Sequence, residues 1–265
     1  MATSYRHQLI LDMARETGHV MVDDLAEQLS VTPQTIRRDL NDLCHQGLLA
    51  RVHGGAILES GVANVAYEAR RLLASNAKEQ IGQLCAEQIP DGASLFINIG
   101  TSTEAVARAL VKRRDLLVIT NNLNVANILV SNPHCNVVVT GGMLRRSDGG
   151  LVGESTVDIV EQFRTDYAVI GVSAIDDDGS LLDFDYREVR VAQAIIKNAR
   201  KTFLVADSSK LERSAPVRIA LMSDIDHFFT DKIASEKLWD VCEQHGVNIS
   251  TTETEPVVPS QLTHS

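Results

Sequence analysis

The sequence predicts an α/β protein in two parts, an N-terminal winged helix-turn-helix and a larger, mostly parallel α/β domain. Two observations carry this. Up to residue 58, three stretches with apolar residues at helical spacing run into a glycine-centred hairpin signal. After residue 76, short apolar strands alternate with amphipathic helices, the pattern of repeated βαβ units. The expected boundaries are 1–58 for the small domain, 59–75 for a linker, 76–252 for the large domain and 253–265 for a loose tail.

In the small domain, Tyr5, Leu9 and Met13 recur every four residues, with Ser4 placed to cap, predicting a helix to about Thr17 before Gly18. Residues 23–29 set Leu25 and Leu29 on one face, behind two acids that suit a helix N-terminus. In SVTPQTIRRDLNDLCHQG, Thr32 can cap, Pro33 suits the first helical position and Gly47 marks the stop. Ile36, Leu40 and Leu43 point inward in this third helix. The opposite face carries Gln34, Arg38, Asn41 and His45, flanked by Thr35 and Arg37. Asp39 leans toward the core side, as a partner for an arginine of the same domain. LLARVHGGAIL then reads as a hairpin turning at His53, Gly54 and Gly55, with Arg51 and His53 as its basic groups. Helices two and three are separated by a gap as short as a helix-turn-helix requires.

In the large domain, SLFIN, LLVIT, NVVVT, YAVIGV, TFLVA and HFFTD read as strands. The helices are EAVARALVKR, LNVANILV, STVDIVEQF, REVRVAQAIIKNAR and EKLWDVCEQHG, where Trp239 reads as core. Asp176, Asp177, Asp178 and Gly179 read as a solvated turn between strands.

Composition narrows the function. The net charge of −10 excludes a protein that coats nucleic acid through bulk charge. Residues 1–58 hold five arginines against seven acids, so any DNA recognition there rests on placement and dimer geometry. Four widely spaced cysteines form no CxxC pair, no apolar run approaches the ~20 residues of a membrane span, and acids stand among the first apolar residues. A cytoplasmic protein is expected. The eight histidines show no metal-ligand spacing and no serine sits in a nucleophile elbow, so neither a metal nor a cofactor is expected.

Two constellations carry chemistry. Arg38 and Asn41 are the side chains that pair bidentately with guanine and adenine edges, and a helix fits the major groove. Thr32, Thr35, Arg37 and the helix N-terminus suit phosphates. An isolated RRDL is more often a solvated helix face; the preceding helix, the turn length and the Arg51/His53 hairpin favour the DNA reader. The second constellation is NIGTST, where Asn98, Gly100, Thr101, Ser102 and Thr103 join a strand to a helix and could cradle an anion. Polar turns of this kind are common, and the loop alone leaves a purely structural role equally open. Asn121 with Asn122, Gly141 with Gly142, and Asp207 with Lys210 lie at three other strand ends, which a parallel sheet gathers on one edge.

SVTPQTIRRDLNDL followed by RVHGG resembles the winged helix-turn-helix of DeoR-type transcriptional regulators. The resemblance continues through FINIGTSTEAVARAL, TNNLNVAN, GGMLRRSDGGLVGE, GSLLDFDYREVR and LVADSSK, over roughly residues 4–250. It implies a repressor working as a dimer or tetramer on double-stranded operator DNA with inverted repeats. It implies release by a phosphorylated effector, glycerol 3-phosphate or a sugar phosphate. It also implies an effector domain similar to pentose-phosphate isomerases, whose glutamate base is matched by Glu188 with Asp185 nearby. A sugar-phosphate isomerase carrying a DNA-binding domain is therefore the rival reading. The isomerases' lysine-bearing glycine loop has no counterpart, since residues 181–184 are LLDF, which favours binding without turnover. Asn98 stands where the family has Asp, Ser102 where it has Thr, and Met21 where helix two is usually capped by Ser.

Overall fold

The computed structural model describes residues 5–17, 19–45, 48–52, 54–58, 67–233 and 235–253. Ser4, Gly18, Gly47, His53, much of the expected linker and residues 254–265 lie outside the described residues. The chain divides into two compact units, Met1–Ser75 and Asn76–Ser265. No helix among the described residues is long and apolar enough to cross a membrane.

The first unit runs α1 (Tyr5–Thr17), β1 (His19–Met21), α2 (Val22–Gln28), α3 (Pro33–His45), β2 (Leu49–Val52), β3 (Gly55–Leu58) and α4 (Tyr67–Leu72). Ile10, Leu25, Ile36, Leu40, Leu43 and Leu49 form its core, and α3 turns inward the face its periodicity predicts; α1 is corrected, since it buries Ile10, Leu11 and Ala14 and leaves Leu9 and Met13 half-buried. Thr32 Oγ1 accepts from the Thr35 N–H at 3.3 Å, as an N-cap should. α2 begins at Met21 without a side-chain cap. Strand β1 is unforeseen: three residues between two helices give no period to read. It pairs with β3 in a three-stranded antiparallel sheet of order β1-β3-β2. Gly55 is required there, because a Cβ would lie 2.2 Å from the Val20 carbonyl oxygen.

The second unit begins with α5 (Ser75–Glu87), β4 (Ser94–Ile97), α6 (Thr101–Leu110), β5 (Leu116–Thr120), α7 (Leu123–Leu129) and β6 (Cys135–Val139). A small hairpin follows, β7 (Met143–Leu144) and β8 (Leu151–Val152), then α8 (Glu154–Val160) and β9 (Thr165–Ile170). Next come β10 (Ala174–Ile175), β11 (Ser180–Asp183), α9 (Tyr186–Lys197) and β12 (Ala199–Val205). The unit ends with β13 (Val217–Leu221), β14 (His227–Thr230), α10 (Glu236–His245) and β15 (Asn248–Thr251). Seven strands form a wholly parallel sheet of order β15-β14-β12-β9-β4-β5-β6. Alternate residues serve opposite faces. Leu95, Ile97, Val169 and Phe203 pack with Ile81 and Val106 of α5 and α6, while Phe96, Ile170 and Leu204 pack with Val189 and Ile195 of α9 and Leu238 of α10.

Helix α5 is the first helix that the linker was expected to join, while strand β15, hairpin β7–β8 and a second antiparallel sheet of order β10-β11-β13 go beyond the sequence reading. In α5 the inward stripe is Lys78, Ile81, Gly82, Cys85 and Ala86, whose lysine and glycine obscure an apolar period. Trp239 is corrected: it is half-buried, and the core positions of α10 are Leu238 and Cys242. The Asp176–Gly179 stretch is the expected turn, closed by Asp178 Oδ1 accepting from the Ser180 N–H at 2.8 Å.

Candidate functional site

Strands β4, β5 and β6 run outward in one direction, and the chain then returns to lay β9 against the other side of β4. The carboxyl ends of β4 and β9 thus form a topological switch point, the crevice where open parallel sheets bind ligands. The β4 exit leads through Asn98 and Ile99 to Gly100, whose φ of +148° opens α6 without any side-chain cap. The first N–H groups of α6 therefore have no intrahelical partners. Thr101, Ser102 and Thr103 are all buried. A Cβ on Gly171, just past β9, would come 3.8 Å from Ile99 O and 3.9 Å from Val205 O. The exits of β4, β9 and β12 therefore share one floor.

Past β12, Asp207 Oδ1 accepts from the Ser209 N–H at 3.2 Å and from the Ser209 hydroxyl. Its other oxygen has no hydrogen-bond partner and lies 3.9 Å from Lys78 Nζ. Lys78 and Lys210 are 2 % and 6 % exposed. Burial alone would raise the Asp207 carboxyl, but Lys210 and Lys78 hold it below the ordinary carboxylate range.

On the other flank, one arginine ties its own loop to the start of α9. Arg145 forks onto Asp148 (2.9 and 2.7 Å), reaches Asp185 at 3.3 Å and meets Glu188 at 2.5 Å. Asp185 also caps α9 by accepting from the Arg187 N–H at 3.0 Å. Burial, then Asp183, push the Glu188 carboxyl upward against the pull of Arg145. The Asp148 carbonyl accepts from Asn124, and Asn124 and Asn122 both donate to Glu104 Oε1. A continuous polar chain thus joins α6 to α9. The sequence reading passed over Lys78, Glu104 and Arg145. The signal for Arg145 is a charged RRSD between two glycine pairs after a parallel strand.

The other predicted residues divide. Asn98 is buried beside the crevice, with its Oδ1 accepting from the Ile99 N–H at 2.7 Å. Asn121 is buried, donates to Leu151 O at 3.1 Å and leaves its Oδ1 without a hydrogen-bond partner. Asn122 caps α7, its side chain engaged with the Asn124 N–H and Glu104. Two expectations need correction. The Thr103 hydroxyl turns back onto the carbonyls of Asn98 (2.7 Å) and Gly100 (2.8 Å), so only its N–H remains for a ligand. Gly141 follows the edge strand β6, where its carbonyl accepts from the Thr156 hydroxyl at 2.7 Å, and it does not join the crevice.

In the first unit, Thr32, Gln34, Arg37, Arg38, Asn41 and His45 are exposed along α3, and Thr35 is half-buried. Arg51 is exposed on β2. His53 lies outside the described residues.

A family model described as a DeoR-like helix-turn-helix domain matches residues 6–61, and one described as a DeoR C terminal sensor domain matches residues 73–232. The chain is 45 % identical over 249 residues to a glycerol-3-phosphate regulon repressor of Escherichia coli (strain K12), covering 94 % of this chain and 99 % of that one. A protein of the same name from Haemophilus influenzae is 48 % identical over 233 residues, 88 % of this chain and 91 % of that one. Among solved structures, ribose 5-phosphate isomerase A from Methanocaldococcus jannaschii aligns with a TM-score of 0.39 at 13 % identity, over 52 % of this chain and 55 % of that one. With a helix-turn-helix unit followed by a sensor unit, both matched along the chain, this protein belongs to the DeoR-type family of transcriptional regulators.

Proposed function

We propose that the protein is a cytoplasmic transcriptional repressor of a glycerol or sugar-phosphate regulon, released from its operator by a phosphorylated effector. Helix α3 enters the major groove, with Arg38 and Asn41 at base edges beside Gln34 and His45. Thr32, Thr35, Arg37 and the Arg51/His53 wing hold phosphates. A homo-oligomer presents two such helices to inverted repeats. The effector's phosphate sits on the uncapped N-terminus of α6, reached by Lys210 and Lys78, and its hydroxyls meet Asn98, Asn121, Asp185 and Glu188. The observation that carries this is the crevice itself: α6 opens without a side-chain cap at the exit of β4, and two buried lysines flank Asp207 at the exit of β12. The relatives' names supply the first effector to try, glycerol 3-phosphate.

The isomerase reading is not favoured. Its base would be Glu188, whose carboxylate is bound up with Arg145. Incubation with pentose or hexosamine phosphates should yield no isomerised product.

The deciding experiment is thermal melting of the full chain with glycerol 3-phosphate, a panel of sugar phosphates and free glycerol. A ligand at 100 times its Kd adds about 2.7 kcal/mol to stability. We expect that shift with glycerol 3-phosphate and none with glycerol. A shift with another sugar phosphate alone would redirect the regulon, and no shift with any phosphate would refute the crevice as an effector site.

A further inference from the structure

Asp39 is a buried carboxylate on the inner side of α3, in a core otherwise made of Ile10, Leu25, Ile36, Leu40 and Leu43. Arg6 of α1 approaches it as a fork, Nε donating to Oδ2 at 2.5 Å and Nη2 to Oδ1 at 3.0 Å. His7 Nε2 lies 3.2 Å from Oδ1. An ion pair whose arginine stays partly exposed, as Arg6 does, is a weak source of stability. What the fork supplies is direction. Apolar packing fixes how deeply α3 sits but resists rotation about its axis only weakly, because the hydrophobic effect is non-directional. At about 100° per residue, Arg38, Gln34 and Asn41 lie about 100°, 140° and 160° round the helix from Asp39, all in the same sense. The fork therefore grips the back of the helix, opposite its exposed polar face. A helix with its side chains has a radius of about 5–6 Å, so a roll of about 10° moves the outer atoms by about 1 Å. That is enough to spoil a bidentate base contact.

We infer that Arg6 is a positioning residue: through its fork on Asp39 it sets the roll of α3, and with it sequence discrimination, without touching DNA. An ammonium group cannot reproduce the two-pronged contact, so lysine is a poor substitute.

The test uses the full-length chain and two duplexes of equal length, one selected by the wild-type protein from a random-sequence pool and one unrelated. Affinities are measured across a salt titration, at a temperature where circular dichroism shows each variant folded. Arg6→Ala and Arg6→Lys should each lose about tenfold or more on the selected duplex. Affinity for the unrelated duplex and the salt slope should stay unchanged, and Asp39→Asn should behave the same way. Equal losses on both duplexes with a slope reduced by about one would make Arg6 a phosphate contact and overturn the inference. Undiminished affinity of folded Arg6→Ala for the selected duplex would overturn it, as would a loss that tracks the folded fraction. Should Arg6→Ala fail to fold, Arg6→Lys carries the same comparison.

Discussion

Arg145 shows how one side chain can hold a site together that its neighbours in sequence do not suggest. It stands on the loop between β7 and β8, yet its guanidinium binds the loop's own Asp148 and two acids at the start of α9. Glu188 is the most perturbed acid of this group, its carboxyl raised by burial and by Asp183. A pKa raised in the folded state contributes stability at low pH, and that contribution is lost as pH rises through the raised value. Glu188→Gln removes this titration. Melts at about pH 5 and about pH 9 should show a smaller loss of stability on the alkaline side in the variant than in the wild type. Equal slopes would mean that Arg145 holds Glu188 ionised throughout. At this scale the sequence reading singled out Asp207 and Lys210 because they follow a strand, and Glu188 with Asp185 through the family resemblance. It passed over Lys78 and Arg145, whose burial depends on elements distant in the chain.

Among the elements, α5 and α6 matter most for the crevice. Gly82 of α5 lies so close to α6 that a Cβ would stand 2.6 Å from the Ala105 carbonyl carbon. Gly82→Ala must push the helices apart, at a cost of about 1–3 kcal/mol. Because Lys78 stands one turn before Gly82, the same variant should also weaken the stabilisation by glycerol 3-phosphate. A lower melting temperature with an undiminished ligand shift would remove Lys78 from the site. The five βα repeats and α3 were legible because their apolar periods are clean and their ends carry Pro, Gly or Asx signals. β1 and the β10-β11-β13 sheet were not, because strands of two to five residues carry too little period.

For the whole molecule, induction requires that effector and operator favour different states, and linkage makes the coupling reciprocal. Saturating operator DNA should weaken effector binding by the same factor by which effector weakens DNA binding. In Lys210→Ala both effects should vanish while operator affinity stays at the wild-type level, as read by fluorescence anisotropy of labelled operator. Normal induction of that variant would exclude Lys210 from the effector site.

By itself the sequence determined the two-part architecture, the inward and outward faces of α3 and the strand ends that gather on one edge. All of these follow from local periodicity and from residues acting within a turn of their own position. Only the tertiary structure decided which strand ends meet. Crossing back from β6 to β9 places the switch point beside β4, bringing in Asp207 and leaving Gly141 at the far edge. It also decided which charges pair, Arg6 with the buried Asp39, Lys78 with Asp207 and Arg145 with Glu188, since such pairing depends on contacts between residues 33 to 129 positions apart.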